Sequence, residues 1–542
     1  MDAITRAEVS PEVHRRRWAI LAVLCLSVFV VVMDGTIVNV ALPSLVTELG
    51  ATTRQLQWIV DAYLLVFTGL LLAAGSFGDR YGRKRALTTG LLAFVATSIL
   101  AGLVDTPATL IASRALMGIG AALIFPATLA VITNTFADAK ERAAAIGIWS
   151  AMSGMAVAGG PILGGWLLEH FWWGSVFFVN VPLIAIAIVG VLSVVPESRD
   201  RETPPLDLVG LGLSIAAITT VVFTIIEAPE WGWASATTAV GAVAGAALLA
   251  VFVWWELRVE HPMLPVRIFR NLRFSAASIS ITSAFFALFG FIFLITQYFQ
   301  LVRGYSPLQA GVRTIPVALS IAVASVLSPK LVERIGTKRV VSAGLASMSI
   351  GFLWVSTASA VTSYSEIVGQ MLFLGLGLGM TTAPATESIM GSLSADKAGV
   401  GSAVNDATRE LGGTLGVAVI GSVFNSVYLG ALRGGEVFSS LPAVAQRPTE
   451  DSVGAAQIVA DRLPTALATP YLREVSDAFL SGLGLACLVT AGVAAAGSIF
   501  AARYLPARAA EPAGGLPLDA SNTGPVSDVA PTAGTATATP VD

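Results

Sequence analysis

Asp34 interrupts the apolar run Trp18–Pro43, Asp61 follows Trp58-Ile59-Val60, and Arg114 follows Leu110-Ile111-Ala112-Ser113. Ionisable side chains inside long apolar runs are costly, and they mark proton relays, ion paths or buried pairs. Asp34 lies nine positions before Pro43, Arg114 eight after Thr106 and Asp61 seven after Arg54. At about 1.5 Å per helical residue, all three sit about 10–13 Å below one common end of their helices. A carboxylate beside an arginine favours its charged form while burial opposes it, so a small shift in packing changes its proton affinity. That property suits a proton carrier, and a static ion pair is the plain alternative.

Two further groups stand out. Asp406, Arg409 and Glu410 share one helical segment, at spacings that predict an Asp406–Arg409 pair with Glu410 one turn from Asp406. They read first as a gate lock, with proton carriage as the second reading. Phe285, Phe289, Phe293 and Gln297 recur at four-residue steps on one face. Aromatic rings ending in an amide suit a cavity for flat, lipophilic cations, and they suit a lipid-facing stripe equally. No catalytic constellation accompanies them: His14, His170 and His261 lie near termini or loops and form no metal pattern, and Cys25 and Cys487 read as packing residues. No phosphate-cradling Gly-x-x-x-x-Gly-Lys loop occurs, so no cofactor, metal or ATP is expected.

The elements that position these groups follow from composition. Of 542 residues 55% are hydrophobic and 12% charged, about half the charged share of a soluble domain. Lipid is the expected solvent. A bilayer core of about 30 Å takes about 20 apolar residues per helix. Fourteen runs meet this: 18–42, 56–76, 86–104, 108–132, 143–168, 175–195, 207–226, 236–256, 275–298, 308–329, 340–360, 366–387, 399–428 and 478–501. The first is too long for a signal peptide. The chain thus divides into an N-terminus (1–17), a first six-helix bundle (18–205), two inserted helices (206–257) and a linker (258–273). A second six-helix bundle (274–505) contains a long loop at about 430–475, and the tail 506–542 is expected to be disordered. Most Lys and Arg fall in the loops that are cytoplasmic if the N-terminus is inside, which puts both termini in the cytoplasm. Scattered in short loops, they make no face for nucleic acid.

Asp79-Arg80-Tyr81-Gly82-Arg83-Lys84-Arg85 recurs 254 positions later as Glu333-Arg334-Ile335-Gly336-Thr337-Lys338-Arg339. Each copy follows the second helix of a six-helix set, as two repeated bundles around a central cavity require. Gly75-Ser76-Phe77-Gly78-Asp79-Arg80-Tyr81-Gly82-Arg83 resembles the loop motif of the major facilitator superfamily, with Gly78 where that family more often has alanine. Met33-Asp34-Gly35-Thr36-Ile37-Val38-Asn39 is similar to the first-helix motif of its fourteen-helix drug:proton antiporters. The segment around Arg114, Gly118 and Gly120 is similar to the fourth-helix motif, whose arginine is implicated in proton coupling. Gly160-Pro161-Ile162-Leu163-Gly164-Gly165 resembles the fifth-helix antiporter motif, with Ala156 replacing a usual glycine, and Tyr298–Pro307 resembles an outer turn of that subfamily.

The resemblance implies an all-α membrane protein of fourteen transmembrane helices in the plasma membrane, two six-helix bundles plus two helices. It implies proton-driven export of lipophilic or cationic small molecules, multidrug efflux foremost. Its partners would be substrate, protons and the bilayer, with a monomer expected. It also implies that Asp79 reaches a facing helix end near Ser394–Lys397. Export of an endogenous metabolite or lipid would use the same machinery. A membrane-embedded enzyme lacks its residues here, and a passive channel leaves the duplication unexplained.

The charge asymmetry yields a test of orientation. Single cysteines at Arg83 and Thr337 should be shielded from an impermeant thiol reagent applied outside cells, and cysteines at Trp231 or Ala455 should label. External labelling at Arg83 would reverse the orientation.

Overall fold

The computed structural model describes residues 11–136, 138–199, 206–392 and 398–506. Fourteen long helices account for most of them: α1 (Pro11–Leu49), α2 (Thr53–Tyr81), α3 (Arg83–Leu103), α4 (Pro107–Thr135), α5 (Ala139–His170), α6 (Asn180–Val194), α7 (Leu208–Trp231), α8 (Ala236–Glu256), α9 (Leu272–Gln297), α10 (Ile315–Ile335), α11 (Thr337–Val355), α12 (Tyr364–Met390), α13 (Ala398–Arg433) and α14 (Thr465–Tyr504). One-turn segments lead into two of them, Ser175–Phe178 before α6 and Pro307–Val312 before α10. Local chemistry sets many of the starts. Thr52 and Gln55 form a reciprocal cap on α2, Thr106 caps α4 ahead of Pro107, and Asp138 accepts the first free amides of α5.

Among the described residues twelve helices are long and apolar enough to cross a membrane. A thirteenth, α2, qualifies as a pair bent by 53° between Leu71 and Ala73. The count therefore stands at twelve or thirteen where the sequence leads one to expect fourteen. The remaining helix is α11, 19 residues long and opening on Thr337-Lys338-Arg339. The run 340–360 overshoots it, because Ser356–Thr362 form turns instead of helix. Helix α1 likewise begins within the segment assigned to the N-terminus. The tail 507–542 and the expected Asp79 partner near Ser394–Lys397 lie largely outside the described residues.

The helices pair in a repeating scheme. Helix α1 packs on α5, and α2 and α3 pack on α4; α9 packs on α13, and α10 and α11 pack on α12. The repeat extends into the helices, with Gly90 and Gly344 again 254 residues apart and their glycine partners Gly120 and Gly377 offset by 257. A Cβ on Gly120 of α4 would lie 2.9 Å from the Gly90 carbonyl oxygen of α3, and one on Gly344 of α11 would lie 2.8 Å from that of Gly377 on α12. Without side chains at these contacts the backbones approach closely, which is how membrane helices gain packing where no hydrophobic force drives them together. The repeated loops match as well. Gly82 (φ 115°) and Gly336 (φ 87°) each separate two helices, and each amide donates back to the preceding helix, at Gly78 O and Val332 O.

Helices α7 and α8 form a hairpin whose α7 side rests on α2 and α13. Arg54 at the start of α2 bridges Glu227 (2.8 Å) and Glu230 (2.7 Å) on α7, and Trp233 Nε1 donates to Ser426 Oγ (2.9 Å). The segment before α14 folds into three short helices, Glu436–Ser440, Ala443–Asp451 and Ala455–Ala460. Glu474 accepts the Val437 and Phe438 amides (2.9 Å each), and Tyr428 donates to Thr449 O (2.8 Å), which ties this cap to α13 and α14. The end of the bundle carrying the cap is called the cap end, and the opposite one, with Gly82 and Gly336, the motif end.

At Gly82 any other residue is forced into backbone space that L-side chains rarely enter, a strain of about 1–3 kcal/mol. Gly82→Ala should lower the thermal unfolding midpoint of the purified protein by several degrees. A midpoint equal to wild type would mean that the α2–α3 corner relaxes without cost.

Candidate functional site

Asp34 on α1 and Arg114 on α4 meet in the interior, and both side chains are fully buried. The Arg114 Nη1 donates to Asp34 Oδ2. Four other contacts hold the guanidinium: Nε donates to the Ile59 carbonyl of α2 (3.1 Å), its face lies 4.3 Å from the Tyr63 ring centre and 5.9 Å from that of Phe177, and Met117 Sδ lies 3.9 Å from Nη1. Tyr63 is itself anchored, its hydroxyl donating to Val31 O (3.0 Å). The second carboxylate oxygen, Asp34 Oδ1, accepts from Asn180 Nδ2 of α6 (2.9 Å). Asn180 Nδ2 also reaches Ser98 Oγ of α3 (3.0 Å), and Ser98 donates to Phe177 O (2.9 Å).

One carboxylate thus joins α1, α3, α4 and α6, while Arg114 adds α2. Sequence spacing anticipates the Asp34–Arg114 meeting. It misses Asn180, Ser98 and Tyr63, although a lone Asn in the apolar run 175–195 is a readable signal. Arg114 Nη2 and Asn180 Oδ1 have no partner among the described residues, so the network keeps spare hydrogen-bonding capacity at its centre.

Asp61 shares this layer, yet no hydrogen bond draws it into the network. It is fully buried, and neither carboxylate oxygen has a partner among the described residues. One turn before it, buried Gln57 crosses to α13, donating to Ala418 O (3.3 Å) and Ser422 Oγ (3.3 Å). One turn after it, Leu65 packs against Ala418 and α7. Asp61 therefore sits on the α2 face that meets the second half.

The second half corrects two expectations. Arg409 forms no ion pair with Asp406 or Glu410 among the described residues. Its Nη2 donates to Thr386 Oγ1 on α12 (3.1 Å), and its guanidinium lies 5.4 Å from the Phe285 ring centre. Thr386 continues to Asn405, whose Nδ2 donates to Asp406 Oδ1 (3.3 Å). Helical spacing brings Asp406 and Arg409 near each other, but a long arginine reaches the neighbouring helix as readily. Nor does the aromatic stripe form one surface. Phe285 and Phe289 are partly buried and stacked, with ring centres 6.4 Å apart, each lying against a glycine of α13, Gly412 or Gly413. Phe293 and Gln297 are buried, and Gln297 Nε2 is satisfied by Phe293 O (2.8 Å).

The fifth-helix glycines serve close packing on two sides. Cβ atoms on Gly160 and Gly164 would lie 3.0 Å from Met33 O and 2.7 Å from Ile37 Cγ1 of α1. One on Gly165 would lie 2.6 Å from Leu308 Cα, across in the second half. In the 79–83 loop Asp79 pairs with Arg83 (2.7 Å), while Arg80 rests on Tyr81, its guanidinium 5.8 Å from the ring centre. Gly75 and Gly78 make ordinary contacts with Pro126 and Ala86. Asp79 thus serves its own corner, whose Arg83 amide and Lys84 side chain bond the α6 end through Ser198 O and Leu192 O.

The two halves are joined toward the cap end. Thr296 donates to Asn39 O (3.0 Å), Gln300 to Val40 O (3.0 Å), and the Leu308 amide to Glu169 (3.3 Å), beside the Gln57 contacts. On α5, Pro161, Gly154 and Gly147 fall on one face at seven-residue steps. The backbone of Pro161 meets Gly311, whereas a Cβ on Gly154 or Gly147 would meet nothing within 4 Å among the described residues. Along this face the halves part toward the motif end.

Comparison with known proteins agrees with this architecture. The family model described as Major Facilitator Superfamily matches residues 24–417. The "Multidrug efflux pump LfrA" of Mycolicibacterium smegmatis is 36% identical over 493 residues, covering 90% of this chain and 96% of that protein. The "Methyl viologen resistance protein SmvA" of Salmonella typhimurium is 33% identical over 465 residues, covering 86% and 93%. Among solved structures, a bacterial homolog of the human lysosomal transporter Spinster, in an inward-facing and unoccupied conformation, superposes with a TM-score of 0.62 at 16% identity, over 92% of this chain and 99% of that one. That likeness is one of fold.

The buried pair predicts a distinctive stability pattern. Asp34→Asn leaves Arg114 charged and uncompensated, a loss of about 3–5 kcal/mol. Asp34→Asn combined with Arg114→Gln should melt above either single variant. Additive losses in the double variant would mean that the two side chains do not depend on each other.

Proposed function

The chain belongs to the Major Facilitator Superfamily and is an integral membrane protein, and on that premise we propose that it is a proton-coupled exporter of lipophilic or cationic drugs in the plasma membrane. The observation that carries this reading is the Asp34–Arg114–Asn180 network, an ionisable acid held away from water at the junction of five helices. An acid so placed releases its proton when the arginine approaches and takes one when the arginine withdraws. Each change of packing around Arg114 then becomes a change of proton affinity. The relatives' names support the substrate class: one is a multidrug efflux pump, and another confers resistance to methyl viologen, a flat dication. Cation and proton would compete for buried carboxylate charge, and competition of that kind is the simplest form of antiport.

The arrangement of the halves supports alternating access. The cap end is closed by backbone-level contacts between α5 and the Pro307–Val312 turn and by the Gln57 crossing to α13. We assign the cap end to the outside and the motif end to the cytoplasm, following the basic loops. The resting state is then open inward, with Asp406, Arg409 and Glu410 lining its approach and Phe285 and Phe289 offering ring faces to a cation. Asp61, unpartnered where α2 meets α13, is assigned as a second acid in the same path. The packing of α11 on α12, like that of α3 on α4, supports counting α11 as a fourteenth span and reading the chain as one of the fourteen-helix antiporters.

Asp34→Asn keeps the size and hydrogen-bonding capacity of the side chain while removing titration. Purified in liposomes, this variant should lose export driven by an imposed pH gradient by an order of magnitude or more. Undiminished gradient-driven export would take Asp34 out of the mechanism and shift the assignment to Asp61.

A further inference from the structure

A cavity of about 290 Å³ lies where the inserted hairpin, the linker and both halves meet. Thr68 of α2, Ser214 of α7, Leu249 and Phe252 of α8, Phe269 of the linker and Leu415 of α13 contribute to its wall. The proton path described above does not use it. Among the described residues its lining carries no charged side chain, and two of its three hydroxyls are turned back onto their own helices, Ser214 to Leu211 O (3.0 Å) and Thr408 to Asn405 O (2.8 Å), leaving Thr68 Oγ1 without a partner. A cation in this space would meet no balancing charge, and so apolar a wall gives water few of the roughly 2–4 polar partners it needs. The cavity also reaches the lipid-facing surface, because Leu249, one of its wall residues, is 41% exposed.

The exposed charge around it is mainly basic, and the acid Asp207 is engaged by the Gly210 amide (2.8 Å) and by Trp255 Nε1 (2.9 Å). Phe269 sits on a single 3₁₀ turn, Val266–Arg270, flanked by Arg267 and Arg270, both exposed. From Arg258 to Arg273 the linker has four arginines and one acid, Glu260. Arg258 lies over the exposed Trp254 ring, 4.5 Å from its centre, an aromatic and a base together at headgroup level. The nearby Glu256 is turned inward, accepting the Leu264 amide (3.0 Å).

We propose that this cavity holds an acyl chain of an anionic phospholipid whose headgroup rests on Arg267 and Arg270. Hydrocarbon alone gives no preference for the site over the surrounding bilayer, since lipid tails are as apolar as the wall. Selectivity comes from the arginines, each adding about five-fold for an anionic headgroup. The bound chain fills the gap between the hairpin and the two halves, so the hairpin travels with both α2 and α13 through lipid as well as through protein contacts.

The test uses the full chain in nanodiscs doped with phosphatidylglycerol or phosphatidylcholine bearing a photoreactive group in the acyl chain. After irradiation, crosslinked peptides are mapped by mass spectrometry, a readout independent of transport. Phosphatidylglycerol should label the α8 and 266–270 peptides at least ten-fold more than phosphatidylcholine. Arg267→Gln with Arg270→Gln should bring the two within two-fold, and Ser214→Phe or Ile218→Phe, each filling the cavity, should reduce labelling by both. Equal labelling by the two lipids in the wild type would overturn the proposal, as would labelling unchanged in both filling variants. Labelling of this wall by a photoreactive lipophilic cation in place of the phospholipid would make it a substrate chamber and overturn it equally.

Discussion

A carboxylate and a guanidinium removed from water are the constraint that organises the first half of this protein. Neither Asp34 nor Arg114 has any exposed surface, and each isolated charge would cost several kcal/mol to keep there. The surrounding helices answer that cost. Helix α2 offers the Ile59 carbonyl and the Tyr63 ring, α6 the Asn180 amide, and α3 the Ser98 hydroxyl that holds Asn180 in place. Five helices are therefore positioned by one ion pair, and any rearrangement of them is felt at the pair.

Two packed repeats make such a rearrangement possible. The pairing of α1 with α5 recurs as α9 with α13, and glycine contacts at Gly90–Gly120 and Gly344–Gly377 let the paired backbones approach closely in both halves. Each half is stiff, because a helix pair in close backbone contact has little room to deform. The seam between them is slighter, resting on the Gln57, Thr296 and Gln300 bonds near the cap end and on the contact of Pro161 with Gly311. Rigid halves around a narrow seam favour rocking over internal distortion.

Much of this is legible in the amino-acid sequence. Long apolar runs locate the helices because lipid leaves the backbone no other way to satisfy its polar groups. Equal depth in different helices places Asp34 beside Arg114 because the bilayer gives all spans a common ruler. What the sequence concealed was direction around each helix axis. Four-residue steps put Phe285, Phe289, Phe293 and Gln297 on one face, but whether that face meets a cleft or another helix depends on tertiary packing, which buries the last two. The same ignorance misdirected Arg409, whose length allows it to bypass Asp406 for Thr386. Helix α11 was misjudged at both ends, because its basic opening reads as loop and the turn after Val355 reads as helix. Gln57 escaped notice because an amide near a helix start resembles any interfacial polar residue, and only its crossing to α13 gives it a role.

In the proposed cycle a lipophilic cation and a proton exclude each other at Asp34, which stands paired with Arg114 in this structure. Cation affinity measured against pH on the purified protein tests this directly. Lowering the pH should weaken binding to the wild-type protein by up to about ten-fold per unit once Asp34 takes up its proton, and the Asp34→Asn protein should bind the cation with an affinity that does not vary with pH. Equal pH dependence in the two proteins would remove Asp34 from the exchange.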